Sequence, residues 1–403
     1  MRILKTLMST ASRTKKRIIN ALDMKFRLSL YIIMCVLLSA CTGGKQNSFS
    51  KLGEGDTLKL KYAKNLCVVK HDGYTTVSLA DPWNEGKALA NYLLSDAPEN
   101  VDPSVKEGFI VVKTPIKKAL VSTSVHCALY ESLKHTDAIA GVCDLDYIKL
   151  DFVKDGARTG QIADCGSSMQ PNVERVIALQ PDAIMLSPYQ GSNDYGKISQ
   201  LGIPIIQLSD YMETSPLGRA EWMLFFGMLV GEEKEAAAQF EEIEKKYNEY
   251  KALAAKTTSR KSVMMDKMVQ ATWYMPGGES TIGQILRDAN CNYAYADTKQ
   301  SGSIEQSFEQ ALQKCADSDI WLMRYSDGGD SNYNLASLAK DNEKYKVFKA
   351  FKQGEVYGCE TTKTPFFEET PFHPEYLLHD LIVLLHPEAE FSKGKTPRYF
   401  RRL

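Results

Sequence analysis

The sequence predicts an α/β protein of two lobes that are joined by one long helix and preceded by a β-hairpin region. Short apolar segments alternate with helical segments, which is typical of βαβ units and a parallel sheet. The alternation stops at residues 233–255, where helical periodicity is clearest, and then resumes. The chain has 403 residues and is 44% hydrophobic and 25% charged, so it is long enough to bury the cores of two domains.

The elements of the first half can be predicted in order along the chain. Asp72-Gly73 favours a hairpin turn between strands at 67–70 and 74–79, and a further strand is predicted at 109–112. Beyond this hairpin region, strands and helices alternate. The strands are predicted at 119–122, 138–142, 183–186 and 203–207, and the helices at 172–179, 195–201 and 217–230.

The linking helix is predicted from an apolar stripe. Phe240, Ile243 and Tyr247 recur on one face, while charged residues fill the other face. At about 1.5 Å per residue the helix would span roughly 35 Å, enough to join two lobes. After it, strands are predicted at 262–268, 320–324 and 356–358, and helices at 281–289, 308–315 and 376–385. We therefore predict two Rossmann-like lobes, 58–231 and 257–403, joined by residues 232–256.

Residues 1–40 are predicted to be an export signal. They hold eight basic residues and one acid, and Leu28–Leu38 is an apolar run of eleven residues. A membrane span takes about 20 residues, whereas this length is typical of a signal-peptide core. An uncleaved anchor helix is the alternative, and Met24 is a possible start. Leu38-Ser39-Ala40-Cys41 resembles a bacterial lipobox, which implies cleavage before Cys41 and a lipid on its sulfur. Residues 41–57 would form a tether in the periplasm or cell envelope.

Charge and cysteine usage exclude several classes of function. The net charge is −1, and the sequence has no basic stripe, so nucleic acid is not an expected partner. Beyond residue 40 the chain has 41 basic and 49 acidic residues, a charge of about −8. Seven cysteines follow Cys41, and an odd number cannot all pair in an oxidising compartment. Their spacing does not indicate a zinc site. We expect buried free thiols, with one disulfide as an open alternative.

Several segments, taken in order, resemble one family of proteins. Residues 171–182 are similar to a helix-to-strand signature of class III periplasmic binding proteins, the solute receptors of ABC importers for ferric siderophores, heme and vitamin B12. The resemblance extends over about residues 115–390 and implies two rigid lobes, a ligand cleft between them and no catalysis. The further similar segments are 201–204, 215–222, 227–231, 273–278, 303–305 and 316–321.

The resemblance also implies partners. The protein would act as a monomer, need no cofactor, and deliver a metal chelate to an ABC permease dimer with its ATPase. An acidic residue on each lobe would pair with arginine residues of the permease. Asp194 and Asp330 follow corresponding strands in the two lobes, and Glu213 and Glu221 are alternatives to Asp194. The family usually has glutamate at these positions, which Asp194 and Asp330 do not match.

Aromatic side chains are predicted to line the cleft, because open α/β sheets bind ligands at the carboxyl ends of their strands. Apolar and aromatic walls also suit large flat chelates. Trp273-Tyr274-Met275 follows a strand and precedes a Pro-Gly-Gly turn, so it is the principal candidate. Ordinary packing at a strand end is the alternative for every candidate. The other candidates are Tyr147, Tyr189, Tyr211, Met212, Tyr325, Phe366 and Phe367.

Charged and ligating side chains supply a second group of candidates. Arg158, Arg324 and Lys363 could face anionic ligand oxygens, although solvated surface charge is the alternative. His126 lies at a predicted strand-to-helix turn, where it could be an axial ligand to heme iron or cobalt, or a structural histidine. The other histidines lack the spacing that places two metal ligands on one helix face, so no metal site within the protein is predicted.

Two other classes of function remain as alternatives. The chain lacks the G-x-S-x-G, Walker and G-x-G-x-x-G motifs, and it shows no nucleophile–base pair. A secreted hydrolytic enzyme and an adhesin or assembly lipoprotein would nevertheless be compatible with the same fold. Among chelates, the absence of a basic cluster favours cobalamin or another near-neutral complex.

Overall fold

Two parallel sheets form the centre of the fold in the computed structural model, which describes residues 52–191, 195–326 and 332–403. These residues fall in one unit. The predicted signal segment and Cys41 lie outside the described residues. Within the described ranges, no helix combines the length and the apolar character that crossing a membrane requires.

A five-stranded sheet precedes the parallel sheets. Its strands are β1 (Asp56–Thr57), β2 (Leu66–Lys70), β3 (Thr75–Ala80), β4 (Ala88–Ser95) and β5 (Ile110–Lys113), in that spatial order. β2 and β3 form the predicted hairpin, and Gly73 in its turn has φ +78°, a conformation that favours glycine. β1 pairs with β2. The predicted tether, 41–57, therefore ends inside this sheet and not before it.

The first lobe contains a parallel sheet with spatial order β12-β11-β6-β7-β8. The sheet strands are β6 (Ala119–Val121), β7 (Ile139–Val142), β8 (Ala163–Asp164), β11 (Ala183–Leu186) and β12 (Ile205–Gln207). Between β8 and β11, a small separate hairpin is formed by β9 (Gly166–Ser167) and β10 (Gln170–Pro171). The helices up to this point are α1 (Pro103–Lys106), α2 (Ser124–Ser132), α3 (Asp151–Thr159) and α4 (Val173–Leu179). The predicted helix at 195–201 is a 3-10 helix, Gly196–Leu201.

The linking helix is present as predicted, but the helix before it is divided. α5 (Pro216–Glu221) and α6 (Met223–Val230) replace the single predicted helix at 217–230, and α7 (Glu233–Ala254) follows. The predicted apolar stripe of α7 is buried. The hydroxyl of Tyr247 on α7 donates a hydrogen bond to Asp288 at 2.8 Å, so α7 contacts the second lobe directly.

The second lobe repeats the parallel arrangement with spatial order β15-β13-β17-β18-β19, where β19 alone is antiparallel. β14 and β16 form a separate antiparallel ribbon. The strands are β13 (Ser262–Met265), β14 (Trp273–Pro276), β15 (Asn292–Tyr293), β16 (Ser303–Gln306), β17 (Ile320–Tyr325), β18 (Val356–Glu360) and β19 (Arg401–Arg402). The helices are α8 (Thr281–Asp288), α9 (Phe308–Cys315), α10 (Leu335–Asp341), α11 (Lys349–Gln353), α12 (Phe366–Glu369) and α13 (Pro374–Leu385).

Two buried carboxylates attach the N-terminal segment to the first lobe. Glu221 accepts hydrogen bonds from the backbone N–H groups of residues 61–63 at 2.7–2.8 Å. Glu213 accepts from the N–H groups of residues 64 and 65 at 2.9 and 2.8 Å, and from the indole of Trp222 at 3.0 Å. Residues 61–65 form neither helix nor strand, so these side chains satisfy their backbone donors.

The surroundings of Glu213 correct a prediction from the sequence. Its side chain is buried, and burial raises the pKa of its carboxyl by more than its hydrogen bonds lower it. The expectation that Glu213 contacts a permease is wrong, because its carboxylate is engaged inside the protein. Glu221, the other alternative to Asp194, is also buried and engaged inside the protein, so the expectation of a permease contact is wrong for it too.

The hydroxyl of Tyr92 covers the edge of the first-lobe sheet. Tyr92 lies on β4, and its hydroxyl donates to the carbonyl of Ile205 at 3.2 Å and accepts from the N–H of Gln207 at 2.8 Å. Both partners belong to β12, the edge strand. An edge strand presents unpaired backbone donors and acceptors, so the hydroxyl takes the place of a further strand at this point.

Replacing Tyr92 with phenylalanine should lower the free energy of unfolding by about 1–3 kcal/mol, because two backbone groups beside a buried ring lose their partner. Urea unfolding of the two proteins measures the difference. Tyr147→Phe is the control, since that side chain is 80% exposed, and it should change stability by less than about 0.5 kcal/mol. Equal stability of Tyr92→Phe and the parent would show that β12 does not depend on this hydroxyl.

Candidate ligand-binding cleft

Exposed hydrophobic side chains concentrate after the strands of the two parallel sheets. Among the described residues, nine large hydrophobic side chains are exposed. Ile177 lies on α4, Val347 on a 3-10 helix, and Tyr274 on the ribbon strand β14. The carboxyl ends of parallel strands are where α/β sheets bind ligands. The other six follow strands of the parallel sheets and are Tyr147, Met169, Tyr189 and Tyr211 in the first lobe, and Val269 and Phe367 in the second.

The carboxyl edge of the first-lobe sheet also contains the cavity that we call the first-lobe cavity. Its volume is about 860 Å³, and its lining comes from segments 122–123, 166–174, 186–189 and 195–198. Tyr189 is one of the lining residues. The volume lies within the range of ligand pockets, which is about 300–1,000 Å³. The cavity can therefore hold a bulky small molecule.

The structure brings the two lobes together beside these strand ends. The ring of Phe372, which follows β18 in the second lobe, lies 6.3 Å from the ring of His126, which follows β6 in the first. The side chain of Gln284 on α8 donates to the carbonyl of Thr214, which follows β12, at 2.9 Å. The segments after the strands of both sheets therefore lie next to each other, and we call the region between them the cleft.

The principal aromatic candidate lies in the core and not in the cleft. Trp273 is fully buried, its ring lies 5.7 Å from that of Trp321, and its indole donates to the carbonyl of Met265 at 2.9 Å. Met275 is also fully buried. Because side chains alternate across a strand, the residue between them, Tyr274, points the other way and is 39% exposed. Of this motif, only Tyr274 can face a ligand.

The other aromatic candidates divide in the same way. Tyr189 lines the first-lobe cavity, and Tyr211 is exposed while its hydroxyl donates to the carbonyl of Pro188 at 2.5 Å. Tyr325 is half-buried and stacks on Tyr333, with 4.4 Å between the ring centroids. The prediction that Phe366 lines the cleft is wrong, because its side chain is buried among other aromatic rings. Tyr147 and Phe367 are exposed, and Met212 is half-buried.

His126 is a structural histidine. Its Nε2 lies 2.9 Å from Asp210 Oδ1, and its Nδ1 lies 2.8 Å from the hydroxyl of Thr123. The second oxygen of Asp210 accepts from Arg219 Nε at 3.0 Å, and the His126 ring stacks on Phe226 with 5.2 Å between centroids. Both ring nitrogens are engaged within a buried network. The expectation of an axial contact to iron or cobalt is therefore wrong.

The network around Asp210 is held by charge. Burial raises the pKa of Asp210, but the charges of His126 and Arg219 and their hydrogen bonds to the carboxylate together lower it by more, so its pKa in the folded protein is below the ordinary value. The pair of Asp210 and His126 is almost inaccessible to water. The carboxylate of Asp210 is therefore stabilised in the ionised form by two partners on different elements.

Two of the predicted cationic candidates, Arg158 and Arg324, differ from the expectation of a free anion-binding group. Arg158 has a 76% exposed side chain and pairs with Asp155 at 3.0 Å on the surface of α3. Arg324 donates through Nε to Asp266 at 3.0 Å, and its guanidinium lies 5.8 Å from the ring of Phe367. Lys363 is exposed after β18. Arg324 is thus beside the cleft, but its charge is matched by a carboxylate.

The thiols and the acidic groups do not form a metal site in the part of the chain that the structure describes. No group of three or more His, Cys, Asp or Glu side chains in it could hold a metal ion. The seven cysteines beyond Cys41 are free in this structure, and six of them are buried. Burial raises the pKa of the Cys143 and Cys359 thiols to about 12. The permease candidates Asp194 and Asp330 lie outside the described residues.

Comparison with known proteins identifies the family. Residues 119–362 match the family described as periplasmic binding protein. The chain is 27% identical over 405 residues to an uncharacterized lipoprotein of Methanocaldococcus jannaschii, which covers 92% of this chain and 94% of the relative. It is 24% identical over 204 residues to the iron-uptake system-binding protein of Bacillus subtilis, which covers 49% of this chain and 61% of the relative.

The fold is shared with solved structures. IsdE of S. aureus, in its complex with heme, superposes with a TM-score of 0.52 at 19% identity, and the match covers 67% of this chain and 98% of IsdE. The two parallel sheets and the cleft at their carboxyl ends agree with that likeness. The chain therefore belongs to the periplasmic binding protein family and has the two-lobed α/β fold of its class III members.

Proposed function

We propose that this protein is a lipid-anchored receptor that captures a bulky metal chelate in the cleft and delivers it to the permease of an ABC importer. The observation that carries the proposal is the concentration of six exposed hydrophobic side chains on segments that follow strands of the parallel sheets. Such side chains can contact a ligand at the carboxyl ends of parallel strands, where α/β sheets bind their ligands. A cavity of about 860 Å³ lies at the same edge of the first lobe.

The chemistry of the cleft suits a large flat ligand. Burying apolar surface contributes roughly 25 cal/mol per Å², and tyrosine adds a hydroxyl that can orient the ligand. Tyr189 and Tyr211 in the first lobe, and Tyr274 and Phe367 in the second, offer such surfaces. Ligand-binding relatives support a chelate, because one is an iron-uptake system-binding protein and another was solved with heme. Those ligands are properties of the relatives.

The proposal also includes a lipid anchor at Cys41 and a permease as partner. The lipobox-like sequence ending at Cys41 supports lipidation, and the relative from Methanocaldococcus jannaschii is a lipoprotein. A lipid anchor would keep the receptor near a membrane-embedded permease. Asp194 and Asp330 remain the candidates for contact with the permease. Radiolabelled fatty acid should be incorporated into the expressed chain and not into a Cys41→Ser variant.

Calorimetric titration of the intact chain in lipid nanodiscs tests the proposed ligand class. The ligands are a set of ferric siderophores, hemin and cyanocobalamin, each added separately. At 100 times its dissociation constant, a ligand should stabilise the folded state by about 2.7 kcal/mol, which also raises the Tm. Failure of every chelate to release heat or to raise the Tm would contradict the proposed function.

Tyr189→Ala should weaken binding of the chelate that the titration identifies by about tenfold, because an aromatic side chain that lines the first-lobe cavity is lost. Val347→Ala is the control, since Val347 is an exposed hydrophobic residue on a 3-10 helix and does not line the first-lobe cavity. The Val347→Ala protein should bind the same chelate with the affinity of the parent. Equal affinities for Tyr189→Ala and the parent would place the ligand elsewhere.

A further inference from the structure

We infer that the captured chelate carries no net negative charge. This inference rests on the proposed function and concerns the same cleft. The charged groups on the segments that follow the strands, and the pairing of the cations among them, support it.

The first-lobe cavity is nearly free of charge. Among its described lining residues, only Glu174 and Lys197 are charged, and they have opposite signs. The rest of its polar lining consists of neutral hydrogen-bonding groups. These are Ser122, Thr123, Ser168, Gln170, Asn172, Ser187, Tyr189 and Tyr195. Such a lining can orient ligand carbonyl and hydroxyl oxygens without compensating a charge.

Two cations on the first-lobe segments that follow strands have partners within the protein. Arg175, on α4, places NH1 2.8 Å from the carboxylate oxygen Oδ2 of Asp164. The segment after β7 carries Lys149, whose ammonium donates to the backbone carbonyl of Asp146 at 2.7 Å. That segment, residues 143–151, contains three aspartates and this single lysine. The first lobe therefore presents no excess of positive charge to the cleft in the residues described.

The second lobe shows the same matching. Arg324 pairs with Asp266, and Lys267 pairs with Asp341. Lys363 lies on the segment after β18, where Glu369 pairs with Arg398. Arg324 and Lys267 are thus each held by a carboxylate.

The two short stretches outside the described residues cannot supply missing cations. Residues 192–194 are Ser-Asn-Asp and residues 327–331 are Asp-Gly-Gly-Asp-Ser, so neither contains lysine or arginine. Every segment that follows a strand of the parallel sheets consequently holds at least as many acidic as basic residues. The charge of about −8 beyond residue 40 adds long-range repulsion of anions.

Because desolvating a charge is costly, this distribution of charged groups should make the cleft selective for neutral ligands. Moving an anion from water into a partly closed cleft is costly unless cations compensate it. A neutral chelate avoids that cost and still gains apolar contacts with the exposed aromatic rings. Ferric tris-hydroxamates, in which the ligand charges cancel the charge of the iron, and cobalamins satisfy this condition. Ferric tris-catecholates, which are strongly anionic, and hemin, with its carboxylates, do not.

The test is a calorimetric titration of the intact chain in nanodiscs of zwitterionic lipid. The probes are a ferric tris-hydroxamate and cyanocobalamin on one side, and a ferric tris-catecholate and hemin on the other. A neutral chelate should bind at least tenfold more tightly than either anionic one. Its affinity should stay constant between about 0.05 M and about 0.5 M salt, since no charge pairing is screened.

A charge-reversal variant tests the cause. Glu174→Lys, at an exposed position of the cavity lining, should strengthen binding of the anionic probes severalfold at low salt and change the affinity for the neutral probe by a smaller factor. Glu388→Lys makes the same charge change at an exposed position outside the cavity lining and should change the affinity for neither class of probe. Tighter binding of an anionic probe by the parent chain, weakened by salt, would overturn the inference and leave the proposed function intact. Binding of neither class would overturn the proposed function, and this inference with it.

Discussion

Replacing Glu221 with alanine should lower the free energy of unfolding by about 3 kcal/mol or more, because three backbone N–H groups lose a charged acceptor at once. Each unsatisfied donor costs about 1–3 kcal/mol when it is shielded from water. The carboxylate is itself buried, so water cannot replace it without opening the packing around α5. Urea unfolding followed by far-ultraviolet circular dichroism measures the loss.

Two further variants show whether the cause is the carboxylate. Glu221→Gln keeps the shape but turns an amide N–H₂ group towards backbone donors, so its stability should fall between the parent and Glu221→Ala. Glu249→Ala removes an exposed glutamate from α7 and should cost less than about 0.5 kcal/mol. A Glu221→Ala protein as stable as Glu249→Ala would show that residues 61–63 do not depend on this carboxylate.

Replacing Asp210 with alanine should lower the free energy of unfolding by about 3–5 kcal/mol, the usual cost of removing one member of a buried ion pair. His126 and Arg219 would both lose their acceptor. Since the Phe372 ring of the second lobe lies 6.3 Å from His126, the loss should also loosen the contact between the lobes. Hydrogen exchange should then increase in α2 and in the segment around Phe372. Asp297→Asn, at an exposed position, is the control.

The contribution of Asp210 should depend on pH in a defined direction. The pKa of Asp210 is lowered from its ordinary value of 3.8, so the unfolded chain binds a proton at higher pH than the folded protein does. The stabilisation is therefore complete above the ordinary pKa and is lost as the pH falls through the folded pKa. The difference in stability between the parent and Asp210→Asn should be largest near pH 7 and shrink below about pH 4. A difference that is constant with pH would contradict an ionised Asp210.

The sequence predicts the elements whose pattern is local. The helix α7 is predicted at 233–255 and observed at Glu233–Ala254, because its apolar stripe and its polar face both appear within the segment. By contrast, β13 is predicted to reach residue 268 but ends at Met265. Asp266 adopts φ +56° there, and its carboxylate turns to Arg324. That partner is 58 positions away, so the pattern of apolar residues does not reveal the break.

The candidate site was predictable as a location but not residue by residue. Exposed aromatic residues do follow strands, yet Trp273 lies inside the core and its neighbour Tyr274 faces outward. Which of two successive residues is buried depends on what packs against the strand, here Trp321. The role of His126 is set by Asp210, 84 positions later. Contacts between distant residues of this kind leave no periodic signal in one sequence.

The attachment of residues 61–65 has a consequence for the order in which the chain can fold. The acceptors for their backbone groups, Glu213 and Glu221, lie 148–160 positions further along the chain. A chain that emerges from its amino end therefore exposes its first sheet long before those carboxylates exist. Closing so long a loop is slow, and unpaired strand edges invite association in the meantime. Chains shortened before residue 213 should consequently bind chaperones more persistently than chains shortened after residue 221.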